Sequence, residues 1–150
     1  MKNLHKFFHE GAKRIESEEA MRELGRGLAA ELEPGDALGL VGDLGAGKTR
    51  LVQGLLEGLG AAEPGLSPTF SLVHEHADAR IPTAHFDFYR MSTPDEAIGL
   101  GWDEYLESGW ALLVEWADKF EGALMPEGTI WLTIERAGEQ VRLVHCPSVS

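Results

Sequence analysis

A lysine and a threonine that follow a glycine-rich stretch are the residues of this chain best suited to chemistry. Residues 42–49 read Gly-Asp-Leu-Gly-Ala-Gly-Lys-Thr and fit the pattern G-x-x-x-x-G-K-[ST]. Glycines let successive backbone N–H groups point at phosphate oxygens, and a following helix adds its positive end. Lys48 is expected to reach the β and γ phosphates of a nucleotide, and Thr49 to offer its hydroxyl to Mg²⁺. The predicted nucleotide contacts are Asp43, Leu44, Gly45, Ala46, Gly47, Lys48 and Thr49.

Magnesium at such a loop also calls for a carboxylate, and two apolar stretches end in one. Leu112-Leu-Val precedes Glu115, and His85-Phe precedes Asp87 on a more polar stretch. A carboxylate at the end of a strand can face phosphates without being buried unpaired. Glu115 and Asp87 are therefore both candidates, although one direct contact to the metal would suffice. The alternative for each is a surface or helix-capping carboxylate.

The surrounding stretches alternate between strand and helix patterns. Residues 37–41 are a short apolar run typical of a buried strand, and residues 48–59 have one apolar face at helical spacing. A helix is predicted from Ser17 until Pro34 stops it, and a short one from Pro94 that glycines interrupt. Further strands are predicted at 71–76, 84–89, 110–114, 129–134 and 141–145, of which the first two could be a hairpin or neighbours and the last two form a hairpin.

These elements predict a single α/β domain over residues 1–150, of the P-loop NTPase type. Its central sheet should be mostly parallel, with antiparallel strands toward the C-terminus and helices on both faces. The order strand, glycine-rich loop, helix places residues 42–49 where a phosphate-binding loop has to lie.

Charge and composition exclude several other functions. The chain has 13 basic and 25 acidic residues, a net charge of −12, and residues 51–150 alone contribute −11. Such a surface repels a phosphate backbone, so direct nucleic-acid binding is not expected as the main activity. The basic residues between Lys2 and Arg26 are interleaved with glutamates and are expected to be solvated charges of a helix and tail.

The single cysteine, Cys146, permits no disulfide within the chain, and no run approaches 18 apolar residues. A cytoplasmic protein without membrane association is therefore expected. An Asn-Lys-x-Asp sequence, which reads guanine, is absent after the loop, so ATP is favoured over GTP. Only four arginines follow residue 51, and these do not resemble the paired arginines of a small-molecule kinase lid.

Four motifs in order resemble the bacterial TsaE (YjeE) ATPases. They are residues 42–49, Ser-Pro-Thr-Phe-Ser-Leu-Val at 67–73, His-Phe-Asp-Phe-Tyr-Arg at 85–90, and Glu-Trp at 115–116. The resemblance implies a small P-loop ATPase that works with the TsaB and TsaD proteins in making threonylcarbamoyladenosine in tRNA. It implies that carbamoyl transfer belongs to TsaD. Because residues 51–150 are strongly acidic, tRNA is expected to be reached only through the complex, and the isolated chain is expected to be a monomer.

The same resemblance implies roles for the candidate residues. Thr49 and Glu115 become the Mg²⁺ ligands and Lys48 the phosphate lysine. Asp87 becomes a carboxylate that orients the attacking water or the metal shell.

Two further residues come from the resemblance, each with a simpler alternative. Thr69 would be a switch residue whose hydroxyl senses the γ phosphate, unless residues 67–69 are a plain turn. Trp116 would pack on the nucleotide or a partner, unless it belongs to the core.

Two rival functions stay open for this sequence, a small-molecule kinase and a nucleotide-gated adaptor without turnover. The histidines His74, His76 and His85 are expected to be structural rather than metal ligands.

Overall fold

The structure is a computed structural model that describes residues 3–43, 47–62, 72–120 and 123–147. These residues form β1 (Ala12–Ile15), α1 (Glu18–Ala29), β2 (Ala37–Val41), α2 (Lys48–Gly58), β3 (Val73–His76), β4 (Thr83–Asp87), α3 (Pro94–Gly99), α4 (Trp102–Glu107), β5 (Ala111–Glu115), β6 (Ile130–Arg136) and β7 (Arg142–His145). None of the helices within these ranges has the length and apolar character needed to cross a membrane.

The described strands form one sheet in the order β1-β7-β6-β2-β5-β4-β3. Its centre is parallel, because β2 pairs with both β6 and β5, and β5 pairs with β4 in the same direction. The predicted parallel centre and the predicted β6–β7 hairpin are confirmed. Antiparallel pairing is not limited to the C-terminal strands, however, since β1–β7 and β3–β4 place it at both edges.

The sequence pattern does not indicate β1. Lys13 and Arg14 interrupt its apolar residues, and such charges are typical of a short edge strand. These two basic residues therefore lie on a strand rather than on the expected helix and tail. Arg22 and Arg26 do lie on α1, where they pair with Glu57 and with neighbouring glutamates.

Helices cover both faces of the sheet, as predicted. On one face α1 and α2 pack through leucines against Leu38, Leu40 and Leu113. On the other face α3 and α4 lie over an aromatic core that includes Phe86 and Trp102. The two hydrophobic cores are separated by the sheet because alternate residues of each strand point to opposite faces.

The position of α2, which begins with the predicted phosphate lysine, is set by its close packing against α1. An added Cβ at Gly25 would lie 2.7 Å from the backbone nitrogen of Leu55, and one at Gly54 would collide with the Arg22 carbonyl. Glycines thus allow the two backbones to touch. Helix α1 begins where predicted, with the Ser17 hydroxyl accepting a hydrogen bond from the Ala20 N–H at 3.0 Å. It ends at Ala29, before the predicted stop at Pro34.

Candidate functional site

The glycine-rich loop leaves the end of β2 and enters α2 through Gly47. Gly47 has φ of +108°, a left-handed conformation that glycine adopts readily and other residues resist. A glycine has no side chain to cap the helix, and within the described residues no side chain caps the start of α2, an arrangement that suits an anion. Leu44, Gly45 and Ala46 lie outside the described residues, and their predicted contacts therefore stay predictions.

The side chain of Lys48 turns back toward the loop and is buried, with 5% of its surface exposed. Its Nζ donates to the Gly42 carbonyl and, at 2.9 Å, to the Asp43 carbonyl. The same ammonium group lies 4.4 Å from the centre of the Trp116 ring. The lysine is thus held at the loop by backbone oxygens and an aromatic face, which are contacts that phosphate oxygens could replace.

Carboxylates surround this ammonium group. Burial lowers the pKa of Lys48, whereas Glu115, Asp87, Asp43 and Asp118, in order of decreasing effect, act to raise it. Asp118 is not among the site residues predicted from the sequence. Its position three residues after Glu115, in the turn that follows β5, is the sequence signal that could have found it.

The two predicted strand-end carboxylates are neighbours. Asp87 and Glu115 are register partners in the parallel β4–β5 pair, and Leu40 of β2 is the partner of Glu115 on its other side. Partners in a parallel pair point to the same face, and Leu40 belongs to the core beneath α1 and α2. Both carboxylates therefore project toward the face that carries α2, at the carboxyl end of the strands where ligands bind in open α/β sheets.

The surroundings of the two carboxylates differ. Glu115 is 3% exposed and contacts the buried His85, with 2.6 Å between Oε2 and Nε2. Asp87 is half-buried, and its Oδ1 accepts a hydrogen bond from the Tyr89 N–H at 2.9 Å. His85 is expected from the sequence to be structural, and its contact with Glu115 is not predicted. Part of the sequence signal is the spacing of His85 and Asp87. They are two residues apart, so their side chains lie on the same face of β4.

Oxygen donors of a side chain in α2 and of one in β5 are the groups to compare with the needs of a metal ion. In the described ranges no group of three or more histidine, cysteine, aspartate or glutamate side chains is arranged to hold a metal ion. Mg²⁺ commonly uses one or two carboxylates together with water and substrate phosphates. Thr49, half-buried in the first turn of α2, and Glu115 are oxygen donors that fit this requirement.

Trp116 follows the metal-candidate glutamate in a strained backbone conformation. Its φ of +58° is unusual for a residue with a large side chain. Its ring packs on Tyr89 with 4.7 Å between ring centres and on the ammonium of Lys48, and it also borders the aromatic core. Trp116 therefore contacts both the Lys48 ammonium group and the aromatic core. Thr69 lies outside the described residues.

A small cavity of about 100 Å³ adjoins the loop at Gly47. The start of α1, the start of α2 and the β6–β7 loop enclose it, with Ser17, Arg50 and Gln140 among its lining residues. Its lining includes both charged and polar groups and one apolar side chain, Met21.

Comparisons with known proteins identify the family. The model of the family "Threonylcarbamoyl adenosine biosynthesis protein TsaE" matches residues 15–144. The chain is 44% identical over 121 residues to tRNA threonylcarbamoyladenosine biosynthesis protein TsaE of Bacillus subtilis. The matched region covers 81% of this chain and 75% of that protein. The TsaE of Streptomyces coelicolor is also 44% identical over 121 residues, spanning 78% and 80%.

A solved structure gives the same result. The crystal structure of YdiB from Bacillus subtilis matches with a TM-score of 0.74 at 34% identity, and the match covers 89% of this chain and 81% of that one. The resemblance in the four motifs, the family match and the shared fold agree. The chain belongs to the TsaE family of tRNA threonylcarbamoyladenosine biosynthesis.

Proposed function

We propose that this chain is a Mg²⁺-dependent ATPase that supports tRNA threonylcarbamoyladenosine modification by acting on a TsaB/TsaD-type complex. The observation that carries the proposal is the position of the Lys48 ammonium group. It lies buried at the start of α2, beside the neighbouring carboxylates Glu115 and Asp87. A mobile cation, two carboxylates and open helix N–H groups at one sheet edge are the parts that phosphoryl transfer requires.

Each residue has a distinct task in this proposal. Lys48 leaves the carbonyls of Gly42 and Asp43 and contacts the β and γ phosphate oxygens. Thr49 and Glu115 would hold Mg²⁺, which would offset the negative charge of the phosphates.

Asp87 accepts a hydrogen bond from the attacking water or from the metal's water shell. The water oxygen bonds to the γ phosphorus, the bond to the β–γ bridging oxygen breaks, and ADP and inorganic phosphate result. The water proton passes to Asp87 or to the phosphate. Thr69 remains the proposed switch residue for the γ phosphate.

The nucleoside part of ATP is proposed to occupy the space that begins at the cavity beside Gly47. The triphosphate on the loop would direct the rest of the molecule along the start of α2. Arg50 lines this cavity and is held by the Gln53 side chain at 2.8 Å and by Glu18 at 3.5 Å. These polar contacts give the cavity a defined shape and groups that can orient a polar ligand.

The partners are proposed to be proteins rather than RNA. Residues 51–150 contain five basic and sixteen acidic side chains, which disfavours a direct contact with a tRNA backbone. The relatives' names connect the family to tRNA modification. We therefore propose that TsaB- and TsaD-type proteins bind this chain and that tRNA is reached through them. The isolated chain should not bind tRNA in a filter assay near physiological salt.

Glu115→Gln tests the nucleotide site, with Glu135→Gln as a matched control on the exposed part of β6. In calorimetry, Glu115→Gln should lose more ATP affinity in Mg²⁺ than in EDTA, because the substitution removes the carboxylate that would complete the ligand set of the metal. The control should behave as the wild type. A defect of the same size in EDTA would remove the metal role from Glu115 and favour Asp87.

Turnover is tested by measuring phosphate release from ATP, alone and with purified TsaB- and TsaD-type proteins. We expect slow release by the chain alone and faster release with the partners. ATP that stays intact for many hours with the partners would replace this proposal with a nucleotide-gated adaptor. ADP formed without inorganic phosphate, in the presence of an acceptor, would favour a small-molecule kinase.

A further inference from the structure

The contact between His85 and Glu115 is a polar feature of the site that the proposed reaction does not use. His85 is fully buried on β4, and its Nε2 lies 2.6 Å from Oε2 of Glu115 on β5. The two residues are 30 positions apart in the chain. In the β4–β5 register His85 is opposite Leu113, two residues before Glu115, so the two side chains meet diagonally on one face.

The direction of this hydrogen bond follows from its chemistry. An ionised carboxylate only accepts hydrogen bonds, so a bond to Glu115 in its metal-binding form requires the proton on Nε2 of His85. The other ring nitrogen, Nδ1, is buried without a hydrogen-bond partner among the described residues. A lone pair tolerates that position better than an N–H donor, and the geometry therefore favours the tautomer with its hydrogen on Nε2.

Packing alone does not explain a histidine at this position. A buried polar atom without a partner costs about 1–3 kcal/mol, and an apolar side chain of similar size would avoid that cost for Nδ1. The ring does supply an N–H donor to a carboxylate whose side chain is only 5% exposed. A buried carboxylate needs such a donor to hold one orientation, because few water molecules can reach it.

We infer that His85 is a positioning residue that donates to one oxygen of Glu115 and thereby directs the other oxygen toward the metal on the phosphates. This inference rests on the proposed function. Hydrogen-bond partners of metal ligands commonly contribute about 10- to 100-fold to metal affinity or activity. His85 itself touches neither nucleotide nor metal in this arrangement.

Two variants that differ by one methylene separate positioning from packing. In His85→Gln the amide nitrogen extends about as far as Nε2, so it can still donate to Glu115. In His85→Asn the amide reaches only about as far as Nδ1 and leaves Glu115 without its donor. Thr83→Val is the matched control, because Thr83 is a buried polar residue on the same face of β4 that bonds the Ile81 carbonyl instead.

The measurement is ATP affinity by calorimetry in Mg²⁺ and in EDTA, with circular dichroism melts to establish folding. His85→Asn should lose about tenfold in affinity in Mg²⁺ and little in EDTA. His85→Gln should stay within about threefold of the wild type in both, and Thr83→Val should show no Mg²⁺-specific loss. The Mg²⁺ concentration at half-maximal nucleotide binding should rise in His85→Asn alone.

Several results would overturn the inference. A loss of equal size in Mg²⁺ and EDTA would make His85 a packing residue, and a Mg²⁺-specific loss in His85→Gln equal to that in His85→Asn would show that the donor is not what matters. If His85→Asn does not fold, His85→Gln alone decides, and a tenfold Mg²⁺-specific loss there rejects the inference while wild-type behaviour supports it. A wild type that binds ATP equally with and without Mg²⁺ would reject the proposed metal site and this inference together.

Discussion

The two faces of the central sheet are built by the same strands, yet one face holds the polar site and the other an aromatic core. On β4 and β5, His85, Asp87 and Glu115 point toward α1 and α2. Phe86 and Val114, which alternate with them, point toward α3 and α4. Neighbouring residues in the sequence therefore have different tasks, because successive side chains of a strand point to opposite faces.

The aromatic face is closely packed. Phe86 contacts the rings of Trp102 at 5.0 Å and Tyr105 at 5.9 Å, and Phe88 contacts Trp102 at 5.4 Å and Phe120 at 5.4 Å. These tilted and edge-to-face arrangements add to the free energy gained by burying the rings. Substitutions on this face should therefore change stability, whereas substitutions on the polar face should change nucleotide binding.

The largest effect should come from removing the centre of the aromatic face. Trp102→Ala should lower the free energy of unfolding by about 3–5 kcal/mol, because it leaves a cavity among Phe86 and Phe88. It also leaves the Leu124 carbonyl without its indole donor. Urea denaturation measures this, and Ile98→Ala on the exposed side of α3 is the control with an expected change below about 0.5 kcal/mol. A loss of ATP affinity in folded Trp102→Ala would contradict the separation of the two faces.

On the polar face, Lys48→Ala should weaken Mg·ATP binding by about 10- to 100-fold, because a charge-assisted hydrogen bond to phosphate is lost. Some binding of ADP should survive, since the backbone N–H groups of the loop remain. Calorimetry with both nucleotides measures the difference. The free energy of unfolding should change less than in Trp102→Ala. Unchanged ATP affinity would reject the assignment of residues 42–49 as the phosphate-binding loop.

Trp116 lies between the two regions and should report the movement of Lys48. Phosphate binding is expected to draw the ammonium group away from the Trp116 ring, now 4.4 Å from it. Adding Mg·ATP should therefore change tryptophan emission in the wild type and much less in Trp116→Phe. Trp102, Trp110 and Trp131 provide a constant background. An equal change in both proteins would assign Trp116 to packing alone.

The smallest expected effect is the pH dependence of the stability that Tyr105 contributes on the aromatic face. Burial and the hydrogen bond that its hydroxyl donates to Glu75 at 2.8 Å raise the pKa of Tyr105 to about 12, from 10.0. A raised pKa in the folded state means that this group stabilises the fold fully below pH 10 and loses its contribution as the pH rises through about 12. The difference in unfolding free energy between wild type and Tyr105→Phe should shrink over that interval. A pH-independent difference would contradict this.

Features determined by neighbouring residues could be predicted from the sequence. The helix start at Ser17, the strand 37–41 and the helix that begins at Lys48 depend on local spacing and capping, and the structure has them at these positions. Glu115 was predicted as a strand-end carboxylate because an apolar run precedes it. By contrast, β1 is not predicted from the sequence, because it becomes a strand only by pairing with β7 from the far end of the chain.

The candidate site itself divides in the same way. The sequence alone determines a loop of suitable glycines followed by Lys48 and Thr49, since that chemistry lies within eight consecutive residues. Only the tertiary structure places Asp87 beside Glu115, the His85 ring against that carboxylate, and the Trp116 ring against Lys48. These contacts join residues far apart in the chain. They depend on which strands pair and on which face each side chain takes, and those choices are made by the free energy of packing the whole domain rather than by local sequence.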